Sequence, residues 1–270
     1  AYFMDSMRRF TCGAVDAGEK PSVLSAVSKA YMTEGMRTSI NDGMDVVGGA
    51  GICRGPQNIL APAYQSLPVG ITVEGANILS RSMIIFGQGA MRCHPYMHNM
   101  VLGLTDNKPQ MFDKAFFGLL NHFAKNISRS FIYGLTGGSF IKPPRRAGQH
   151  AKTYKHLTHL STNFALLSDV ALLSLGGDLK RKESLSGRFA DALSWLLICS
   201  ATLKRFHDEG EPLAQKPLLE WTMAYGMKQV EEALHAVVRN HPNRFVGLLA
   251  HAMVFPTGRR FEWPSDALSH

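Results

Sequence analysis

The chain has 270 residues, 45% of them hydrophobic and 19% charged, enough apolar surface for one large domain or two modest ones and too few charges for a disordered segment. Its 29 lysines and arginines against 21 aspartates and glutamates leave a formal charge of +8, which favours anionic partners: nucleic acid, an anionic membrane surface or phosphate-bearing small molecules. No RNA-binding aromatic signature or basic recognition helix accompanies that charge, so nucleic acid is not expected.

Four dispersed cysteines (Cys12, Cys53, Cys93, Cys199) with no CxxC pair argue against a disulfide framework or zinc ribbon and fit reduced thiols in a cytoplasmic chain. No apolar run reaches the ~18 residues of a membrane span; the longest, Ala192–Leu203 and Phe245–Phe255, are short and interrupted. The chain opens at Ala1 without an initiator Met or signal peptide, and "AYFMDSMRRFTCGAV" reads as the middle of an amphipathic helix, so a piece of a longer protein is expected.

Apolar residues recur at helical spacing almost everywhere, which predicts an all-α fold. Tyr2–Val15 is the first predicted helix. The second starts at Pro21 and Ser22 and runs to Val47, where Gly48-Gly49 stops it. Residues 50–70, with Gly51, Gly55, Pro56, Pro62, Pro68 and Gly70, predict loop with a short helix at most. A long helix follows from about Gly75 to Gly89. After Pro95 the next helix covers 109–135 and ends before Gly137-Gly138; "GGSFIKPPRRAGQH" is the best linker. Ala151–Leu175, Leu179–Asp208, Pro217–Asn240 and Arg244–Val254 complete the set, with no internal repeat.

One isolated acid stands out. In "LPVGITVEGANILSRSM", Glu74 has no basic residue within six positions on either side. An acid in a first helical turn is ordinarily there for the macrodipole. Its neighbours Leu67, Pro68, Val69, Ile71 and Val73 are apolar, however, which places the carboxylate at the edge of a dry pocket, and Gly75 leaves its flank open. Desolvation raises a carboxylate pKa towards the range of a general base.

Other constellations are weaker. His94 and His98 stand i, i+4, but no Glu lies between them, Pro95 breaks the start and no third ligand is evident, so no metal is predicted. His156 and His159 beside Lys152 and Lys155 form a basic, solvated face, with contact to a ligand phosphate or an acidic lipid surface as the alternative. Asp178–Ser184 reads as an N-capped, charged first turn. Cys53 and Cys93 lack the His/Asp company of a nucleophile, and the 13 methionines read as core filler.

"TVEGANILSRSMIIFGQGA", with "DVVGGAGICRGPQN" upstream, resembles the C-terminal helical domain of acyl-CoA dehydrogenases. "MRCHP", "LGGDLKRKE", "DEG", "HPNR" and "FPTGRRFEWPSD" are similar to the long bacterial members of fatty-acid β-oxidation, which carry an extra helical region. The resemblance covers essentially the whole chain. It implies an antiparallel helical bundle over residues 1–95, truncated at its N-terminus, followed by a helical extension over 96–270.

It also implies roles. Glu74 becomes the base that takes the α-proton of a fatty acyl-CoA, and Gly75 lines the thioester site. Gly48, Gly49 and Gly51 match the turn that approaches the FAD of a partner subunit, although Gly48 also reads as a plain helix C-cap. Ala76 and Ile78 fall where many relatives have Thr and Gln on the flavin, Val73 replaces an aromatic residue, Asp45 stands for Gln, and Gln65-Ser66 for Arg-Asp. The implied reaction yields trans-2-enoyl-CoA, with electrons passing through FAD to electron-transferring flavoprotein, in a full-length homo-oligomer. The 270-residue piece alone is expected to be inactive and to bind FAD weakly or not at all. Two other readings remain: a non-catalytic helical module docking to a membrane, a partner enzyme or another subunit, and an acyl-CoA oxidase-like relative. The expected location is cytoplasmic, with contact to a membrane surface left open.

Overall fold

The computed structural model describes residues 1–82, 86 and 94–265; among these there is no strand. The helices are α1 (Tyr2–Asp16), α2 (Ser22–Val47), α3 (Leu60–Thr72), the single turn α4 (Asn77–Leu79), α5 (Met97–Thr105), α6 (Pro109–Thr136), α7 (Ala151–Leu175), α8 (Glu183–Asp208), α9 (Lys216–Arg239) and α10 (Arg244–Val254).

Local chemistry explains most of the ends. Pro109 opens α6, where its missing N–H is no loss, and Gly137 closes the helix in the left-handed conformation. The Asn243 side chain caps α10 by accepting from the N–H groups of Phe245 and Val246. Short connections make α7, α8 and α9 successive neighbours, each packed on the other two. α8 is central: Phe189, Ala190, Ala192, Ile198 and Cys199 on it are fully buried. α9 crosses it closely at Gly226, where a Cβ would stand 2.3 Å from the Cys199 Sγ.

The core does not pause near position 95. Met7 of α1, Val27 of α2 and Phe86 belong to the same buried cluster as Leu160, Phe189 and Leu234. Phe86 stacks on Phe189 with ring centroids 4.3 Å apart. Residues on both sides of the expected 95/96 division therefore share one interior.

Three expectations change. Within the stretch read as loop, Leu60–Thr72 is a helix. Pro62 lies in the first turn, where a missing N–H is no loss, whereas Pro68 stands inside the helix and removes one ladder bond. Asn58 supplies the missing start: its Oδ1 accepts from the N–H groups of Leu60 and Ala61. Met97–Thr105 is an additional helix. Gly176–Arg181 is a 3₁₀ turn and α8 starts only at Glu183, without a side-chain cap, so Asp178 is not an N-cap. The helix expected to Gly89 is described only as α4 and residues 80–82, which continue as a wider π turn; the remainder, apart from residue 86, lies outside the described residues, as do Met91, Arg92 and Cys93 of "MRCHP".

The stretch Gly148–Arg181, built on α7, is long and apolar enough by composition to cross a membrane, contrary to the sequence reading. Its apolar side serves the core: Leu160, Leu166, Leu167 and Ala171 are all buried, as are Asn163 and Asp169 on the same helix.

Candidate functional site

The glycine turn comes first along the chain. α2 ends at Val47 and Gly48–Ile52 form a 3₁₀ turn. Asn58 ties this turn to α3, its Nδ2 donating to the carbonyls of Ala50, Gly51 and Cys53 at 2.9, 2.8 and 2.8 Å. Gly51 is buried, and a Cβ there would meet the Met44 carbonyl at 3.2 Å. Gly48 and Gly49 are exposed, and a Cβ on either would meet nothing of this chain within 4 Å. Bare backbone facing outward at those two positions fits close approach of a ligand or another chain.

The acid sits two elements on. After α3 the chain reverses through Val73–Ala76, with Glu74 at φ 57° and Gly75 at φ 87°. The reversal is fastened to α2. The Lys29 Nζ donates to the carbonyl of Gly75 at 2.6 Å, to the Asn77 Oδ1 at 2.7 Å and to the carbonyl of Ile71 at 3.2 Å. Asn77 is buried, and its Nδ2 donates to the Thr33 Oγ1 at 2.8 Å and to the Glu34 Oε1 at 3.0 Å.

Among the described residues the expected dry pocket around Glu74 is not there: the residue is exposed. Of its apolar neighbours Leu67 is buried and Ile71 half-buried, while Val69 and Val73 are exposed, as are Ile78 and Leu79 beyond it. The apolar run is the outer face of α3 and α4, and among the described residues nothing covers it. Among the described residues Glu74 has no hydrogen-bond or ion-pair partner. Ala76 and Ile78 offer a ligand only van der Waals contact.

Beyond Glu74, Arg81 forks onto the Asp191 carboxylate of α8, with its Nε at 2.5 Å from Oδ1 and its Nη2 on Oδ2. The Tyr31 hydroxyl donates to the same Oδ1. Burial, and after it the Asp191 carboxylate, hold the Tyr31 hydroxyl above its ordinary range, so it stays a neutral donor. This triad joins α2, the segment after Glu74 and α8; sequence spacing gave no sign of it.

A second convergence was also missed. His94 meets not His98 but His122 of α6 and Asp169 of α7, with candidate ligand atoms all within 4.8 Å of one another. The absence of a third ligand expected from the sequence is thus overturned. Hydrogen bonding nevertheless speaks against a metal. The His94 Nδ1 accepts from the N–H groups of Tyr96 and Met97 at 3.2 and 3.1 Å, so the ring proton is on Nε2, which donates to the Asp169 Oδ1 at 2.8 Å. Neither nitrogen has a lone pair left to give. The Asn126 Nδ2 donates to the other carboxylate oxygen at 3.0 Å, and the His122 Nε2 stands 3.8 Å from it. The cluster borders a cavity of about 390 Å³ walled by Phe86, Phe164, Leu172, Leu193 and Leu197.

The expected basic, solvated face at His156 and His159 is a correction too. His159 is buried, contacts the Asn163 Nδ2 at 3.2 Å, and its pKa is pushed down to about 4, chiefly by burial and then by Arg260. His156 packs edge-on against Phe261 and is lowered for the same reason. The segment after α10 lies over them. Cys199 is buried with its thiol pushed up to about 12, which makes it inert; Cys12 and Cys53 are exposed.

Comparison with known proteins gives two findings. Residues 91–270 match the family described as acyl-CoA dehydrogenase, C-terminal, bacterial type. The fold is similar to an acyl-CoA dehydrogenase from Bacillus anthracis crystallised in complex with FAD, with a TM-score of 0.63 and 12% identity. That likeness covers 89% of this chain but 37% of the other, so the chain spans little more than a third of that protein's length. At such identity the likeness is one of fold.

Proposed function

The chain belongs to the acyl-CoA dehydrogenase family through its bacterial-type C-terminal domain, and on that premise we propose that it is the C-terminal part of an FAD-dependent enzyme converting a fatty acyl-CoA to trans-2-enoyl-CoA in β-oxidation. One observation carries the assignment of the base. Among the described residues Glu74 is an unpartnered carboxylate on a fastened turn, set in an apolar surface made by Val69, Val73, Ile78 and Leu79 that none of them covers. That is half of a dry site. The expected pocket becomes the product of two surfaces, this one and a surface outside the 270 residues.

The roles follow from that arrangement. Covering the apolar rim excludes water, and a carboxylate so covered gains proton affinity, which suits it to take the α-proton of a thioester. Gly75 keeps the approach open on one flank. Gly48 and Gly49 present bare backbone where FAD of a neighbouring subunit would come close, whereas Ala76 and Ile78 would touch it only through apolar atoms. FAD, when bound, supplies the acceptor for the β-hydride. Electron-transferring flavoprotein is the proposed acceptor beyond it, and oxygen uptake by the full-length enzyme would reassign the protein as an oxidase.

The test is Glu74→Gln in the full-length flavoprotein. A positioned base contributes about 10²–10⁴-fold, so bleaching of the flavin by acyl-CoA should slow by at least about 10²-fold while acyl-CoA binding persists. Bleaching at the original rate removes Glu74 from the chemistry. The 270-residue chain by itself should neither retain FAD nor turn over.

A second reading applies to residues 96–270. Phe116, Phe117, Leu120, Phe131 and Leu135 run along α6 and are between 39% and 66% exposed, on a helix that also exposes Lys114, Lys125 and Arg129. α10, packed on α6, exposes Phe245 and Leu248 as well. An apolar stripe with cationic flanks is the pattern of a helix that lies on anionic lipid. The reading places the enzyme in the cytoplasm at a membrane surface. The chain should co-sediment with phosphatidylglycerol vesicles and not with phosphatidylcholine alone, and Phe117→Asp with Leu120→Asp should abolish this; equal recovery with both vesicle types, or with neither, refutes it.

A further inference from the structure

We propose that Lys29 is the positioning residue of the Glu74 carboxylate, an inference that rests on the reading of Glu74 as the base. Glu74 occupies the left-handed region, which a side chain with a Cβ resists and which persists only where the surroundings enforce it. Gly75 beside it is left-handed as well, so the two residues form a sharp reversal that has no helix or sheet ladder to hold it.

Among the described residues, what holds it is the Lys29 ammonium group. Ile71 precedes Glu74 by three residues, Gly75 follows it and Asn77 lies three beyond, and the Lys29 Nζ donates to all three. The cation therefore grips both limbs of the reversal, and its three N–H donors are all spent. The grip is seated on α2 through Asn77, whose Nδ2 reaches the Ala30 carbonyl, the Thr33 Oγ1 and the Glu34 Oε1. The Thr33 hydroxyl in turn donates to the Lys29 carbonyl at 2.7 Å. Lys29, Ala30, Thr33 and Glu34 lie on one side of α2, so the direction in which Glu74 projects is set by that helix.

The ordinary alternative is a lysine capping the end of α3 for stability. Of the three acceptors only the Ile71 carbonyl belongs to α3, and it is the most distant. The two shorter bonds go to Gly75 and Asn77, past the helix end and on the far side of Glu74. Three convergent acceptors suit a compact ammonium and not the planar guanidinium fork.

The experiment uses the full-length flavoenzyme with Lys29→Met, Lys29→Arg, Asn77→Ser and Glu74→Gln, each assayed per bound FAD well below its unfolding temperature. Displacing a reacting group by about 1 Å costs up to ~10²-fold, so Lys29→Met should slow single-turnover bleaching about 10- to 100-fold. KM for acyl-CoA should stay nearly constant, and the isotope effect with α-deuterated substrate should rise. Lys29→Arg should not restore the rate, and Asn77→Ser should show a smaller loss of the same kind. A Lys29→Met enzyme that melts earlier yet bleaches at the wild-type rate with an unchanged isotope effect overturns the proposal. If Lys29→Met does not fold, Asn77→Ser decides by the same criteria. Inactive Glu74→Gln beside normal Lys29→Met refutes positioning alone; active Glu74→Gln refutes the base and the positioning with it.

Discussion

Replacing Asp169 by Ala tests the assignment of the His94 proton. Asp169 is 1% exposed and accepts from the His94 Nε2 and the Asn126 Nδ2. Removing the carboxylate strands two donors, at about 1–3 kcal/mol each. The cavity of about 390 Å³ alongside gives water a way to reach them, which favours the lower part of that range. The net loss should be roughly 2–4 kcal/mol, and at roughly 2–4 °C per kcal/mol for a chain near this size the melting temperature falls by about 4–16 °C. Circular dichroism of the 270-residue chain measures it. Zn²⁺ should leave the melting temperature of the unmodified chain unchanged, because His94 offers no lone pair. A shift under about 2 °C in Asp169→Ala, or Zn²⁺ stabilisation of the parent that the variant loses, refutes the argument.

Two further outcomes concern the interior. Gly226→Ala places a methyl group 2.3 Å from the Cys199 Sγ on a fully buried face, so overpacking should cost about 1–3 kcal/mol in urea titration; Gly226→Ala with Cys199→Ala should recover most of it. His159 has a pKa of about 4 in the fold against an ordinary 6.5. Above pH 6.5 both states leave it neutral; as the pH falls from 6.5 towards 4 only the unfolded chain takes up the proton, so stability is lost in that window. The contribution between pH 7 and 4.5 is about 2–3 kcal/mol, and His159→Gln should flatten the pH dependence by that amount.

Much of the helical layout could be read from residue patterns because stop signals are local. Ala151–Leu175 and Arg244–Val254 appear with the expected ends, since Gly176 terminates the first, and Asn243 and Pro256 bracket the second. α3 was hidden by its own prolines, and the carboxamide that starts it, Asn58, precedes it by two residues and also serves the glycine turn. The reversal at Glu74 and the glycines upstream were visible as residue types. Their surroundings were not, because whether Val69 and Val73 face a core depends on what α3 packs against. His94, His122 and Asp169 come from three separate parts of the chain. His159 feels the charge of Arg260 and its neighbour His156 packs on Phe261, both about a hundred residues away. Long-range closure of this kind has no periodicity to betray it.

Phe86 on Phe189 and Arg81 on Asp191 join the Glu74 region to α8 through one stacked pair and one forked ion pair. Relatives are therefore poor donors for grafting at position 95: a hybrid that takes its first part from one parent and its tail from another would inherit mismatched halves of both contacts. Recombination would have to carry positions 31, 81, 86, 189 and 191 as a set, which makes the tail inheritable only together with the segment it grips.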